Sequence, residues 1–405
     1  MAEVESSSLR RRLYGLAFVD EFGPVYAVYT LWLNDNGVST SQLSTMFLVW
    51  ALVALLLEIP SGALADRVDR RFLLAAAFLI RAVGISIWLV WPTFAGALIG
   101  ASLWAVHSAL ASGAWEAMIH DELTAIGDER HYPKVMARVS QFSHLGVALG
   151  TMLGAGLLQL DVALTTLGWI TVAAHAGSIT LVATMPDVRW VTIGGDPDQS
   201  WSYAAWWATL RQGVGQARRV PLVAKLIIVG AMLEGLFLID EYIPILTRER
   251  GGTDSSAPII VFIVWAGLLG GGELSARRPG LAGRRLGAMV VIGSGVMSAA
   301  LLLDGVWPLA LIALGYAGLQ SSWIATDARM QERIPSATRA TVTSVRGFGS
   351  ASISIAAFAV VGLLSDGDDP TRGLFVIVAA TALAGLLIIR WLPDHQGAHP
   401  TPPPK

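Results

Sequence analysis

Two acidic pairs lie inside long apolar runs and share one local pattern, Asp-Glu-aromatic-x-Pro. They are Asp20 with Glu21 and Asp240 with Glu241. A charged group within an apolar helix is unfavourable and is a candidate for function or for ion pairing. Because adjacent helical residues point about 100° apart, we expect one of Asp20 and Glu21 to face a cavity and the other a neighbouring helix. Both are candidates for proton exchange, with a structural buried pair as the alternative.

Other charged and titratable side chains within apolar runs are candidates for the same proton chemistry. They are Arg81, His107, Glu234 and Asp240, with His175 as a further relay candidate or a structural histidine. Arg81 needs a counter-ion, and Asp20 or Glu21 supplies one if their helices adjoin. If protonation of the acid breaks this ion pair, the pair can couple proton binding to transport. The alternative is a static ion pair with a structural role. In the second half, depth within the span favours Glu234 as the proton-binding residue, whereas the repeated pattern favours Asp240.

Aromatic side chains placed away from the ends of these runs are candidates for a cavity wall. They are Tyr26, Trp50, Trp104 and Tyr316. Aromatic faces together with buried acids suit lipophilic or cationic compounds. Interfacial anchoring to lipid is the alternative, since tryptophan is enriched at membrane surfaces.

The composition indicates that the elements positioning these residues are membrane helices. Only 14% of the 405 residues are charged and 54% are apolar, whereas soluble domains carry about 25% charged residues. The net charge of −2 argues against a nucleic-acid partner. The absence of cysteine excludes disulfides, thiolate zinc sites and a cysteine nucleophile.

Apolar windows of about 20 residues predict an all-α membrane protein with twelve transmembrane helices. We place the spans at residues 13–33, 41–62, 72–91, 93–117, 136–158, 162–185, 224–247, 257–276, 285–304, 306–327, 341–364 and 373–392. Long apolar runs do not show the alternation of a barrel strand, so helices satisfy the backbone.

The spans predict four regions along the chain. They are an N-terminal six-helix bundle at 1–185, a linker with an amphipathic helix at 186–221, a C-terminal six-helix bundle at 222–393 and a disordered tail at 394–405. The outer loops hold only Arg248, Arg250 and Arg372, and the other basic residues outside the spans fall on the inner side. This asymmetry predicts that both termini and the linker lie on the cytoplasmic side of an inner or plasma membrane.

The two halves carry a second match in register. Trp50 precedes Glu58 in span two, and Trp265 precedes Glu273 in span eight, each within Val-Trp-Ala. Parallel repeats of this kind are typical of a transporter built from two pseudo-symmetric bundles.

The turn between spans two and three carries a cluster of charges and glycine. Its members are Gly62, Asp66, Arg67, Arg70 and Arg71, with Glu58 before it and Glu116 and Asp121 on span four as possible partners. We expect the cluster to latch the two bundles together on the inner side. Its run Gly62-Ala-Leu-Ala-Asp66-Arg67-Val-Asp69-Arg70-Arg71 resembles the loop signature of the major facilitator superfamily. Asp69 stands where that family usually has glycine, which would loosen or reshape the turn.

Two further segments resemble the drug/proton-antiporter-like branch of that family. Glu58-Ile-Pro and Ser112-Gly-Ala-Trp-Glu-Ala border the signature region, and span five carries Gly146, Gly150 and Gly154. Small residues every fourth position allow close helix contact. Thr151 and Ala155 depart from the branch pattern, so ordinary packing explains the glycines as well as an antiporter hinge does.

The resemblance implies a monomeric secondary transporter driven by a proton gradient, with no cofactor. We expect proton-coupled efflux of small lipophilic or cationic molecules by alternating access. The alternatives are a proton-coupled importer of a small metabolite and a lysolipid or lipid transporter. No phosphate-binding loop, catalytic serine elbow or metal-ligand spacing occurs in the sequence, so neither ATP hydrolysis nor another enzymatic activity is expected.

Overall fold

A computed structural model describes residues 2–65, 68–185, 220–334 and 339–392, and the single positions 207, 211 and 215. Within these ranges the regular elements are helices, apart from one isolated β-bridge between Asp366 and Asp369. The predicted linker lies almost wholly outside the described residues, and the predicted tail at 394–405 lies outside them entirely. Asp66 and Arg67 also lie outside, as do the side chain of Glu58 and the surroundings of Gly62.

The helices follow one another with short connections. The first half contains α1 (Ala2–Glu21), α2 (Tyr29–Asp35), α3 (Thr40–Ala65), α4 (Arg70–Val90), α5 (Phe94–Ala125), α6 (Tyr132–Gln159) and α7 (Leu164–Ala183). The second half contains α8 (Pro221–Gly235), α9 (Ile243–Glu249), α10 (Ser256–Arg277), α11 (Gly283–Leu302), α12 (Ile312–Gln331), α13 (Arg339–Leu364) and α14 (Thr371–Trp391).

Eleven of the twelve predicted spans correspond to described segments that are long and apolar enough to cross a membrane. The predicted span at 13–33 differs, because its helix is broken. Helix α1 ends at Glu21 and α2 begins only at Tyr29. Pro24 has no amide hydrogen to donate to a helix, and the preceding Gly23 packs so closely on the Tyr26 ring that an added Cβ would lie 2.2 Å from it.

The seventh span is broken at the matching place. Helix α8 ends at Gly235, a 3-10 turn covers Ile239–Tyr242, and α9 begins at Ile243 with Pro244 in its first turn. The repeated Asp-Glu-aromatic-x-Pro pattern therefore marks a helix break in both halves. Interrupted helices in corresponding positions of two repeats are a pointer to the binding region of a transporter.

The contacts divide the chain into two compact units. Unit 1 comprises Met1–Trp206, Glu241–Phe262 and Phe358–Arg372, and unit 2 comprises Trp207–Asp240, Ile263–Ala357 and Gly373–Lys405. Two hydrogen bonds show how the later segments join unit 1. Thr40 Oγ1 donates to Asp368 O at 2.8 Å, and the hydroxyls of Ser44 and Tyr242 lie 2.8 Å apart. The predicted domain boundaries follow chain order and remain a prediction.

Asp69, the residue that departs from the family signature, caps the N-terminus of α4. Asp69 is the N-cap of α4 and accepts a hydrogen bond from Arg71 N at 2.8 Å. Its φ of −53° needs no glycine. Burial raises the pKa of Asp69, but hydrogen bonds from Arg71 and Phe72 and the charge of Arg71 together hold it below its usual value of 3.8. Instead of loosening the turn, Asp69 therefore stabilises the start of a helix.

This cap gives a stability prediction. Asp69→Ala is expected to lower the free energy of unfolding by about 1 kcal/mol, whereas Asp69→Gly lowers it by only a few tenths of this. A folded-state pKa below the unfolded one means that the contribution is full above the unfolded pKa and is lost as the pH falls through the folded pKa. Thermal unfolding at neutral and at acid pH measures both effects. Equal losses for the two variants would contradict a capping role.

Candidate functional site

A charged cluster in unit 1 joins α1 to α4 and α5. Arg81 Nη1 lies 3.3 Å from Asp20 Oδ1 and 3.2 Å from His107 Nε2. Arg81 is 4% exposed. Because a guanidinium can only donate, His107 accepts through Nε2 and its ring is neutral in this arrangement. Asp20, rather than its neighbour Glu21, makes the ion pair that the sequence left open between them.

Aromatic rings surround this guanidinium. The Cζ atom of Arg81 lies 4.8 Å from the Tyr26 ring centre and 4.9 Å from that of Trp104. Tyr26 Oη lies 2.7 Å from His175 Nε2, and His175 is fully buried. His175 Nδ1 is 3.9 Å from Asp20 Oδ1, beyond hydrogen-bond distance. Asp20 in the last turn of α1 and Tyr26 after the end of that helix therefore both contact Arg81.

A cavity adjoins the cluster within unit 1. Its volume is about 90 Å³, and Glu241 is its charged lining residue. The lining consists of Tyr29, Met46, Phe47, Trp50, Trp88, Ala101, Trp104, Glu241 and Phe358. Tyr29 Oη donates to Glu241 Oε2 at 2.7 Å, and its ring stacks on Trp88 at 4.9 Å. Trp104 belongs to both features, since it lines the cavity and contacts Arg81.

The four predicted cavity aromatics take different positions. Trp50 and Trp104 line the cavity, and Tyr26 stands behind Trp104 with ring centres 5.1 Å apart. Tyr316 belongs to unit 2, where its hydroxyl donates to Asp240 Oδ1 at 2.9 Å. Sequence reasoning passed over Trp88, which stands near the end of its span but is 2% exposed. Its position two residues before Val90, at the end of α4, is where an interfacial anchor is expected.

The span-five glycines pack against the broken part of α1. A Cβ atom added at Gly146 would lie 2.3 Å from Phe18 O, one at Gly150 2.9 Å from Gly23 N, and one at Gly154 2.7 Å from Pro24 O. The three glycines therefore set the position of the segment that carries Asp20 and Tyr26.

Substitution of these glycines is expected to disturb the site. Gly146→Ala should lower the free energy of unfolding by about 1–3 kcal/mol, because the new methyl group meets backbone that cannot rotate away. Gly156 on the same helix is exposed and has no atom within 4 Å of an added Cβ, so Gly156→Ala is the matched control. Thermal unfolding of both variants tests this. Equal stability of the two variants would show that α1 can move away from the new methyl group without lowering the free energy of unfolding.

In unit 2 the repeated acidic residue has uncharged partners. Asp240 accepts hydrogen bonds from Tyr316 Oη and, at 3.0 Å, from Trp265 Nε1. The counterpart of Asp20 thus sits with a phenol and an indole rather than with an arginine. Its neighbour Glu241 belongs to unit 1.

Two arginines of unit 2, Arg329 and Arg346, are also buried. Arg346 Nη1 is 3.3 Å from Asp327 Oδ1 and 3.4 Å from Glu234 Oε2, and its guanidinium lies 5.4 Å from the Trp323 ring centre. Arg81 was singled out from the sequence as a charged residue within a span, whereas Arg346 was not. The available signal was the position of Arg346 inside the predicted span 341–364.

The described part of the signature region ties neighbouring helices together. Arg70 forms an ion pair with Asp121 and donates to Ala117 O at 3.0 Å. Arg71 pairs with Asp69, and Glu116 is exposed. Because Arg70 and Asp121 both belong to unit 1, this ion pair joins α4 to α5 and does not itself form the predicted latch between two bundles.

A profile of the Major Facilitator Superfamily matches residues 13–359. The chain belongs to the major facilitator superfamily. It is accordingly a multi-pass membrane transporter rather than an enzyme. No curated protein sequence matches it significantly.

Solved structures share the fold of this superfamily member at low sequence identity. The nucleoside transporter NupG has a TM-score of 0.72 and 13% identity over 95% of this chain and 98% of that one. A D-xylose-proton symporter has a TM-score of 0.68 and 15% identity over 98% and 99%. A bacterial homolog to the human lysosomal transporter Spinster has a TM-score of 0.63 and 16% identity over 95% of both chains. These likenesses establish the major facilitator fold.

Proposed function

We propose that the protein is a proton-coupled exporter of small lipophilic cations, of the drug/proton-antiporter-like branch. The observation that carries this proposal is the cavity in unit 1. Six aromatic side chains, including that of Tyr29, and the carboxylate of Glu241 line it. Aromatic faces attract cations, and a carboxylate in a poorly hydrated wall adds a direct charge partner. An organic monocation with apolar substituents matches both features.

Coupling to protons would run through the charged cluster beside the cavity. Trp104 contacts Arg81 and also lines the cavity, so a change at Arg81 can reach the substrate through one side chain. Protonation of Asp20 or Glu21 would remove one of the two negative charges that act on Arg81 and make the cluster one unit more positive. A more positive cluster would disfavour a cationic substrate nearby and promote its release. Loss of the proton would restore the site.

The membrane arrangement completes the proposal. Both termini and the linker would lie in the cytoplasm, so protons entering the cell from outside would drive export. The proton gradient would be the energy source, and no cofactor would be needed. A monomer would suffice, because each unit contains its own charged cluster.

Proton-coupled uptake of a small metabolite is the second candidate. It is favoured by Trp50 Nε1, a buried donor in the cavity wall that has no hydrogen-bond partner among the described residues. This donor could bind a hydroxyl or carbonyl oxygen of a polar substrate. The D-xylose-proton symporter shows that the same fold can serve such a function.

Efflux of a fluorescent lipophilic cation from pump-deficient cells tests the first candidate. The intact protein is expected to export the probe, and a protonophore, Asp20→Asn or Glu21→Gln is expected to abolish export. Membrane levels of each variant serve as the control. Intact protein that reaches the membrane but exports no probe would reject the exporter, and an uptake screen with neutral metabolites and lysolipids would then test the alternatives.

A further inference from the structure

The first turns of α6 and the turn before them carry a basic surface. Its members are Arg130, Lys134 and Arg138, which are spaced four residues apart and are all exposed. The sequence from Arg130 to Leu160 contains no aspartate or glutamate. Arg138 donates to the neutral Gln141 Oε1 at 3.0 Å, and among the described residues no carboxylate forms an ion pair with any of the three. The protein therefore leaves these positive charges for an external partner.

Exposed leucines continue the basic surface along the same face of α6. They are Leu145, Leu149 and Leu153, whose exposed fractions are 44%, 47% and 38%. At about 100° per residue, Lys134, Arg138, Leu145 and Leu149 fall within about 60° of the helix circumference. This segment of α6 is long and apolar enough to cross a membrane. One face thus presents cations at its end and leucine side chains to the lipid beyond them.

The other side of α6 is occupied by the protein itself. Val135 and Val139 are 1% and 3% exposed, and Gly146 packs closely on Phe18 O of α1. These three residues lie about 100–140° around the helix from Lys134. The helix is therefore fixed to the interior along one side, and its basic and leucine-bearing face points away from that contact.

The spacing along the exposed face matches one leaflet of a bilayer. Arg138 and Leu149 are about 17 Å apart along the axis at 1.5 Å per residue, and one leaflet contributes about 15 Å of hydrocarbon. A soluble anion would cover the basic surface and leave the leucines bare. A zwitterionic lipid would bring its own cation against Lys134 and Arg138. An amphiphile with a net negative headgroup matches both parts of the face.

We propose that this face of α6 binds an anionic phospholipid. The phosphate lies at Lys134 and Arg138, Arg130 adds positive charge beside the headgroup, and one acyl chain follows Leu145 and Leu149. Anionic lipids are abundant in the cytoplasmic leaflet, and the distribution of basic residues predicts that this end of α6 is cytoplasmic. The lipid site is independent of the transported substrate and of the coupling ion.

Native mass spectrometry of the purified protein in detergent tests the charged part of the site. Phosphatidylglycerol and phosphatidylcholine with identical acyl chains are titrated separately, and the intact protein is expected to bind phosphatidylglycerol more tightly. Lys134→Gln combined with Arg138→Gln should weaken phosphatidylglycerol binding about 30-fold, because each basic residue near an anionic headgroup contributes roughly fivefold. Lys134→Arg combined with Arg138→Lys keeps both charges and should keep the affinity.

Arg372→Gln is the matched control, because Arg372 is a 73% exposed arginine at the start of α14 and already pairs with Asp366. It should leave phosphatidylglycerol binding unchanged. Equal affinity of the intact protein for the two lipids overturns the proposal. Equal weakening by Arg372→Gln and by the double glutamine variant also overturns it, since the effect would then follow total charge rather than this face.

A second pair of measurements tests the apolar part. Leu145→Ala combined with Leu149→Ala should weaken phosphatidylglycerol binding at least about tenfold, because it removes apolar surface from under the acyl chain. Glycerophosphoglycerol, the headgroup without chains, should not displace the lipid at equal concentration. Displacement by this soluble headgroup would assign the basic surface to a free phosphate ester and overturn the lipid site.

Crosslinking keeps the result decisive if the glutamine variants do not insert into the membrane. Intact protein in vesicles is irradiated with a phosphatidylglycerol that carries a photoreactive group in its acyl chain, and the labelled peptides are identified by mass spectrometry. Label on the α6 peptide that contains Leu149, reduced by excess phosphatidylglycerol but not by phosphatidylcholine, supports the site. Label confined to other helices overturns it.

Discussion

An Asp20→Asn variant is expected to lose proton-coupled transport and to unfold at a lower temperature than the intact protein. Arg81 is 4% exposed, and Asp20 is the carboxylate that it contacts at 3.3 Å. Removing one partner of a buried ion pair leaves an uncompensated charge, which lowers the free energy of unfolding by about 3–5 kcal/mol. The neutral His107, the rings of Tyr26 and Trp104, and the charge of Glu21, which also acts on Arg81, offset only part of that loss.

A double variant separates the structural from the transport role of the pair. Asp20→Asn combined with Arg81→Gln removes both charges, so most of the lost stability should return while transport stays absent. Asp304→Asn is the matched control, because Asp304 is an exposed loop residue. Thermal unfolding and probe efflux measure the two effects. Transport by the double variant would show that Asp20 does not carry the coupled proton.

Features encoded in local sequence could be predicted well. Apolar length alone located the spans, and eleven of them match described segments. The Asp-Glu-aromatic-x-Pro repeat was visible in the sequence, and both copies mark helix breaks. The pairing of Arg81 was narrowed to two adjacent acids, because a buried guanidinium needs a counter-ion on a neighbouring helix. Choosing Asp20 required the structure, since the orientation of α1 about its own axis decides which side chain faces α4.

Features that depend on helix packing could not be predicted from one sequence. Arg346 lies near the end of its predicted span, and depth along a helix does not show whether a neighbouring helix covers the side chain. Trp88 had the position of an interfacial anchor but stacks on Tyr29. Glu241 follows Asp240 directly, yet the two residues belong to different units. Equal sequence patterns in the two halves therefore led to different partners for Asp20 and Asp240.

Replacement of Glu241 is expected to separate recognition of charge from recognition of apolar surface. Glu241 is the charged residue of the aromatic cavity, and Tyr29 donates to it at 2.7 Å. Glu241→Gln keeps the shape and a hydrogen-bond acceptor but removes the charge. Loss of a charged partner in a poorly hydrated site weakens binding by about 1.5–3 kcal/mol, or roughly 10- to 150-fold in Kd.

A pair of probes of equal shape makes this test specific to charge. Binding of a quaternary ammonium probe to purified Glu241→Gln should weaken by the stated factor, whereas binding of its neutral carbon isostere should change by less than about threefold, which is under 1 kcal/mol. Tyr29→Phe is the control, because it removes the hydroxyl contact and keeps both the carboxylate and the aromatic face. Equal weakening of both probes would mean that Glu241 shapes the cavity rather than binding a cation, and the substrate would then be sought among neutral molecules that accept a hydrogen bond from Trp50.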